Sequence, residues 1–209
     1  MMRTVHPIEA ESFRRLRHRR DTSALPYWTR AVTERVVHAS ADLAYADELV
    51  CDEGTLAAAA RALAAGAPVV ADVEMVAAGI TSRPVTCRVR DPRAAELAAE
   101  RGLTRSAAAV ELALDEVGAG AVWVVGCAPT ALEHLLTLGE RARPALVIGL
   151  PVGFVGAAES KLALRNSGLP AVSNVSEKGG SAVASAALNA LLYGDPLGDP
   201  APAAAGATA

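Results

Sequence analysis

The sequence predicts an α/β domain: a parallel sheet with helices on both faces. Three observations carry this. Short apolar runs rich in β-branched residues alternate with helical patterns along the chain. Several of those runs show no polar alternation, which suits strands buried on both sides. Hydrophobic residues make up 52% of the 209 residues and aromatics only 3%. A core of Ala, Val and Leu lets helices sit close on a sheet.

In chain order, a polar stretch comes first, with IEAESF running into RRLRHRR (14–20). It reads as a solvated helix face, with steering of a polyanionic ligand as a second reading. A helix follows over 26–39, with Pro26 suited to a first turn. Residues 54–66 form a helix stopped by a glycine. Strands are predicted at 67–73, 85–90, 121–126, 145–150 and 170–175. Helices over 104–118, 129–142 and 178–194 fill the remaining connections. The domain spans 1–193. The tail 194–209, GDPLGDPAPAAAGATA, is Gly, Pro and Ala with two Asp and is expected to be disordered.

Composition excludes several classes. The formal charge of −3 gives no general reason to bind nucleic acid. Cys51, Cys87 and Cys127 lie far apart without a CxxC pair, which argues against a disulfide framework or structural zinc. No apolar run approaches a membrane span, and the N-terminal stretch lacks the apolar segment of a secretion signal. The expectation is a soluble, cytoplasmic protein.

The ligand crevice of such a sheet lies beyond the carboxyl ends of its strands. GLPVGFVG (149–156), GCAPT (126–130), ADVEMVAAGI (71–80) and the glycines of EKGGSA (177–182) all follow predicted strands. Glycine there permits positive φ and close backbone approach, and a helix N-terminus adds partial positive charge. The site looks made for anionic oxygens, phosphate or carboxylate. Neither GxxxxGK[ST] nor GxGxxG is present, so nucleotide binding is not signalled. Few aromatics are available to stack on a flavin.

Among titratable residues His38 stands out. It lies off the apolar stripe of Trp28, Val32, Val36 and Ala39, with Glu34 one turn before it. Glu34 would raise its pKa, and histidine exchanges protons near neutrality. A surface histidine paired with Glu34 is the plainer alternative. Arg105 opens a helix behind Thr104, where a cation opposes the dipole unless an anion sits there. A solvated arginine is the alternative. No HxH or HExxH spacing suggests a metal.

The segments IEAESFRRL, ERVVHASAD, GAPVVADVEMVAAGI, TRSAAA, APTALEHLL, PALVIGLPVGFVGAAESK and KGGSAVASAALNALL resemble, in order, the precorrin-8X methylmutase family of cobalamin biosynthesis. The resemblance covers about residues 6–193, and GLPVGFVGAAESK is its most specific string. It implies a flavodoxin-like three-layer α/β/α domain with a mainly parallel five-stranded sheet, acting as a homodimer without cofactor. It implies a methyl shift from C-11 to C-12 of precorrin-8X, giving hydrogenobyrinic acid, with possible hand-off of that product to the next enzyme. The family's catalytic histidine falls on His38, and its substrate-binding serine on Ser12. Arg105 matches an arginine at the site. Gly153, Gly156, Lys178, Gly179 and Gly180 belong to the glycine-rich walls that would cradle substrate carboxylates. Two positions depart from the family: Cys127 replaces a common Asn, and Glu133 an apolar residue. Two alternatives are a cobalt-containing substrate and a carrier that binds the corrinoid without converting it.

Overall fold

The structure, a computed structural model, describes residues 5–198. Helix α1 (Pro7–Arg19) leads to α2 (Tyr27–Ser40), the short α3 (Tyr45–Glu48) and strand β1 (Leu49–Cys51). Then α4 (Glu53–Ala64) precedes β2 (Val69–Ala71). Three helices, α5 (Glu74–Ala78), α6 (Pro92–Arg101) and α7 (Arg105–Val117), lead to β3 (Val122–Val125). After α8 (Pro129–Thr137) and α9 (Gly139–Ala142) comes β4 (Leu146–Gly149). The order closes with α10 (Ala157–Asn166), β5 (Ala171–Asn174) and α11 (Ser181–Tyr193).

The helix ends follow their local chemistry. Asp52 caps α4 by accepting the Thr55 N–H at 2.8 Å, and Thr104 caps α7 through the Ala107 N–H at 3.2 Å. Pro7, Pro92 and Pro129 sit in the first turns of α1, α6 and α8, where the missing N–H costs nothing. Gly102, at φ 65°, ends α6 in the left-handed conformation.

The sheet has the order β1-β5-β4-β3-β2, with β2 to β5 parallel and β1 antiparallel on the outer edge of β5. Its parallel strands are buried throughout β2, β3 and β4, as their unbroken apolar runs require. Each strand divides its side chains between two layers. Val122, Val124, Leu146 and Ile148 face one core with α1, α2, α4 and α11. Trp123, Val125 and Val147 face a second core with α7, α8 and α10. The three-layer α/β/α expectation holds. The parallel strands run in chain order across the sheet, so their carboxyl ends and following turns share one edge.

Three expectations are corrected. The segment 85–90 is not a strand: only Thr86 joins the sheet, exchanging backbone bonds of 2.9 Å with Val69 and Ala71. Arg88 turns outward to Glu116 instead, and the chain leaves the sheet in a turn at 89–90, where the Asp91 N–H donates to the Arg88 carbonyl at 3.1 Å. The fifth strand is β1, whose three residues carry no legible period. The tail does not begin at 194. Gly194, at φ 72°, turns the chain inward, and the buried Asp195 carboxylate meets Arg17 at 2.6 Å and Arg30 at 3.3 Å. Residues 199–209 of the expected tail lie outside the described residues. Arg17, expected on a solvated face, also pairs with buried Glu34 at 2.8 Å. Among the described residues no helix is long and apolar enough to cross a membrane.

Candidate active site

His38 sits in the last turn of α2, and α1 lies across it. The Ser12 hydroxyl and His38 Nδ1 share a hydrogen bond at 2.9 Å. The ring of Phe13 stacks on the imidazole, with centroids 4.5 Å apart and planes 20° from parallel. Consecutive residues of one helix thus hold the imidazole by an edge and by a face. Ser12 therefore serves the His38 of its own chain. The hydroxyl donates to Nδ1 of the neutral ring and accepts from it once the ring is protonated. Nδ1 is committed to Ser12, which leaves Nε2 as the ring nitrogen that a ligand can reach.

The environment of His38 differs from the expectation. Glu34 does not reach it, because that carboxylate is buried against Arg17 and the Thr22 hydroxyl at 2.5 Å. Burial is the main influence on the imidazole and pushes its pKa below 6.5. Glu9 acts in the opposite sense, and Arg35, a smaller influence than Glu9, adds to the depression. Arg35 is itself buried, with its guanidinium 5.7 Å from the Phe13 ring centre and 3.5 Å from Glu9.

Two adjoining cavities meet at Ser12 and His38. One, of about 640 Å³, has an apolar lining from Pro7, Ile8, Leu16 and Leu43, with Glu11, Arg15 and Arg19 at its charged positions and Arg15 paired with Glu11 at 2.9 Å. The other, of about 910 Å³, is lined by Arg35, Met75, Gly79, Ser181 and Asn189. The second cavity reaches the sheet edge where α5 and α11 begin, as the strand-end rule predicts. Apolar walls with a few charged groups and a histidine where the two cavities meet are the composition of a small-molecule site.

The other predicted site residues divide. Gly180 opens α11 at φ 127°, without a side-chain cap, directly before the cavity residue Ser181. Gly179 is required by packing: a Cβ there would lie 2.3 Å from the Leu150 carbonyl oxygen and 2.5 Å from that of Pro151. The ammonium of Lys178 is held by Asp42 at 2.7 Å and Glu48 at 3.4 Å, and it lines neither cavity. Gly153, at φ 150°, and Gly156, at φ 78°, shape the turn before α10, and they too lie outside both cavity linings. Arg105 is exposed at the start of α7 and makes no ion pair among the described residues. The structure does not bring it to His38.

The turn after β3 was expected to offer free amides to an anion. Instead the N–H groups of Gly126, Cys127 and Ala128 donate to the buried Asp72 carboxylate at 3.1, 2.8 and 2.8 Å. The protein supplies its own anion there. Burial still pushes the Asp72 pKa up, against those three bonds. Asp72 and Phe13 were not singled out from the sequence, since an Asp after a strand and an apolar residue in a helix are ordinary. Among the described residues no three His, Cys, Asp or Glu side chains gather as metal ligands.

A three-layer α/β/α domain with a half-buried, serine-held histidine between two cavities has the form of a small-molecule enzyme. The comparisons with known proteins agree. The family model for precorrin-8X methylmutase matches residues 7–194. A cobalt-precorrin-8 methylmutase of Methanothermobacter thermautotrophicus is 45% identical over 82% of this chain and 84% of its own. A precorrin-8X methylmutase of a Sinorhizobium species is 41% identical over 91% and 95%. The crystal structure of precorrin-8X methylmutase from Thermus thermophilus superposes with a TM-score of 0.80 at 34% identity, covering 90% of this chain and 96% of that one. The chain belongs to the precorrin-8X methylmutase family, and so to the isomerases.

Proposed function

We propose that the chain moves the methyl group of precorrin-8X from C-11 to C-12, giving hydrogenobyrinic acid, with His38 as the proton donor and acceptor. The observation that supports this best is the Ser12–His38 pair placed where two cavities meet. The apolar walls suit a broad macrocycle, and Arg15, Arg19 and Arg35 suit its carboxylates. Nε2 gives a proton to the ring C region, the electron-poor framework lets the methyl group migrate, and the same nitrogen takes the proton back. No net proton or electron is exchanged, as an isomerisation requires. Ser12 holds the imidazole in one orientation through both protonation states. Arg105 and the Gly153–Gly156 turn remain proposed substrate contacts, reached from outside the two cavities. The homodimer implied by the resemblance belongs to the same proposal, and sedimentation equilibrium tests it.

Relatives named for the cobalt-containing substrate match as well as those named for the metal-free one, and this favours a second reading in which cobalt-precorrin-8 is used. Turnover of the two substrates, followed by visible absorption, distinguishes them. Conversion of neither, with binding of both, would replace the mutase with a carrier.

A further inference from the structure

Lys161 lies on α10, within the string GAAESK, and lines neither cavity that meets His38. Its side chain is fully buried. A buried ammonium is costly unless its protons are satisfied. Among the described residues no carboxylate pairs with it directly. Nζ donates to Asn174 Oδ1 at 2.8 Å, to the Lys178 carbonyl at 2.6 Å and to the Ser176 carbonyl. All three N–H bonds of the ammonium are thereby used.

The three acceptors belong to one short stretch, 174–178, the turn that leaves β5. Other groups fasten the same turn. Arg165, one turn further along α10, donates to the Asn174 carbonyl at 2.7 Å. Glu48 accepts the Ser176 hydroxyl. Within the turn itself the Asn174 amide donates to the Lys178 carbonyl at 3.0 Å and the Ser176 carbonyl at 3.4 Å. Lys161 is the group that reaches in from a helix and ties three of the turn's oxygens to α10.

That turn runs directly into Gly179 and Gly180. Gly179 is wedged against the Leu150 and Pro151 carbonyls, and the Gly180 N–H donates to the Leu150 oxygen at 2.9 Å. Ser181 and Ala182 then form the wall of the larger cavity that holds Ser12 and His38. A continuous covalent and hydrogen-bonded path thus joins Lys161 to that wall without touching the imidazole. The proton-exchanging pair is supplied separately, by α1 and α2.

We propose that Lys161 is a positioning residue for substrate binding: it closes the 174–178 turn in the shape that sets the α11 wall of the His38 cavity. This deepens the mutase reading and rests on it. The separation of the two parts dictates the signature. Loss of Lys161 weakens binding and spares the chemical step.

The test is steady-state kinetics of wild type, Lys161→Met and Lys161→Gln on precorrin-8X, with hydrogen exchange over 174–182. Lys161→Met is expected to raise KM about tenfold while kcat stays within about threefold, the scale of one or two lost hydrogen bonds. Lys161→Gln, whose amide keeps two donors, falls between. Exchange over 174–182 rises in Lys161→Met, and exchange over α1 and α2 does not. An unchanged KM, a fall in kcat at constant KM, or unchanged exchange over 174–182 overturns the proposal. Should Lys161→Met lose its fold by circular dichroism, Lys161→Gln decides by the same criteria. Should wild type fail to convert the tetrapyrrole, the mutase reading falls, and the exchange comparison still decides the role of Lys161.

Discussion

Ser12 and His38 are 26 residues apart in sequence and 2.9 Å apart in space. Their meeting depends on α1 packing across the end of α2, with Phe13 stacked on the imidazole and fully buried. The N-terminal helix, charged over most of its surface, therefore has one apolar contact that matters for chemistry. It pins the imidazole that the proposed reaction uses.

Removing the hydroxyl tests that pinning. Ser12→Ala loses one hydrogen bond to Nδ1 and leaves the Phe13 stack intact. Its kcat should fall about fivefold, the equivalent of roughly 1 kcal/mol. The melting temperature should change little, because Ser12 is only partly buried. A kcat equal to wild type would show that Ser12 does not orient the ring.

The depressed pKa of His38 sets two pH dependences. In the folded state the imidazole releases its proton below 6.5, so the unfolded chain binds more protons in the window just under that value. Stability is complete above 6.5 and is lost as pH falls through the folded pKa. His38→Asn should show less acid destabilisation than wild type in urea titrations. If the imidazolium is the proton donor, kcat/KM should also fall as pH rises through the same depressed value. A kinetic midpoint above 6.5 would contradict the burial argument.

Lys161 gives the opposite end of the pH scale. Burial pushes its pKa down to about 8 from 10.5. The unfolded chain then holds more protons between those values, so the stabilising contribution is complete above 10.5 and lost as pH falls through about 8. The unfolding free energy of wild type should rise across that window relative to Lys161→Met. Parallel curves for the two proteins would show that the ammonium is not penalised by burial.

Gly179 and Gly79 are required by close approach. Gly179→Ala sets a methyl group against two backbone carbonyls that cannot move aside. Gly79→Ala sets one 2.4 Å from the Ser185 hydroxyl oxygen, where α5 meets α11. The first should cost more than about 2 kcal/mol and the second about 1 kcal/mol, measured by chemical denaturation. Equal, small effects would mean that the backbone at 150–151 is freer than its packing implies.

The layered architecture was legible because β3 and β4 are continuous apolar runs that alternate with helical segments. The edge strand β1 was not, since three residues carry no period. The segment 85–90 misled because its alternating Val and Arg mimic a half-buried strand, while Arg88 in fact pairs outward with Glu116. His38, Ser12 and the glycines before α11 were singled out by motif resemblance, and the structure sets Ser12 against His38. That pairing was not legible. The neighbour at one helical turn, Glu34, was the natural choice, yet a residue from another helix holds the ring. The free amides expected after β3 were consumed by Asp72, a contact spanning 54 to 56 residues that local patterns do not encode. Resemblance pointed to Lys178, whereas the buried lysine with the most demanding hydrogen-bond geometry is Lys161.

The most direct measurement is visible absorption of wild type and His38→Ala, each mixed with enzymatically prepared precorrin-8X. The account predicts conversion to the spectrum of hydrogenobyrinic acid by wild type. The variant should bind the tetrapyrrole and convert it about a hundredfold or more slowly. Conversion by the variant at the wild-type rate would contradict the role of His38. Binding without conversion by wild type would contradict the mutase itself.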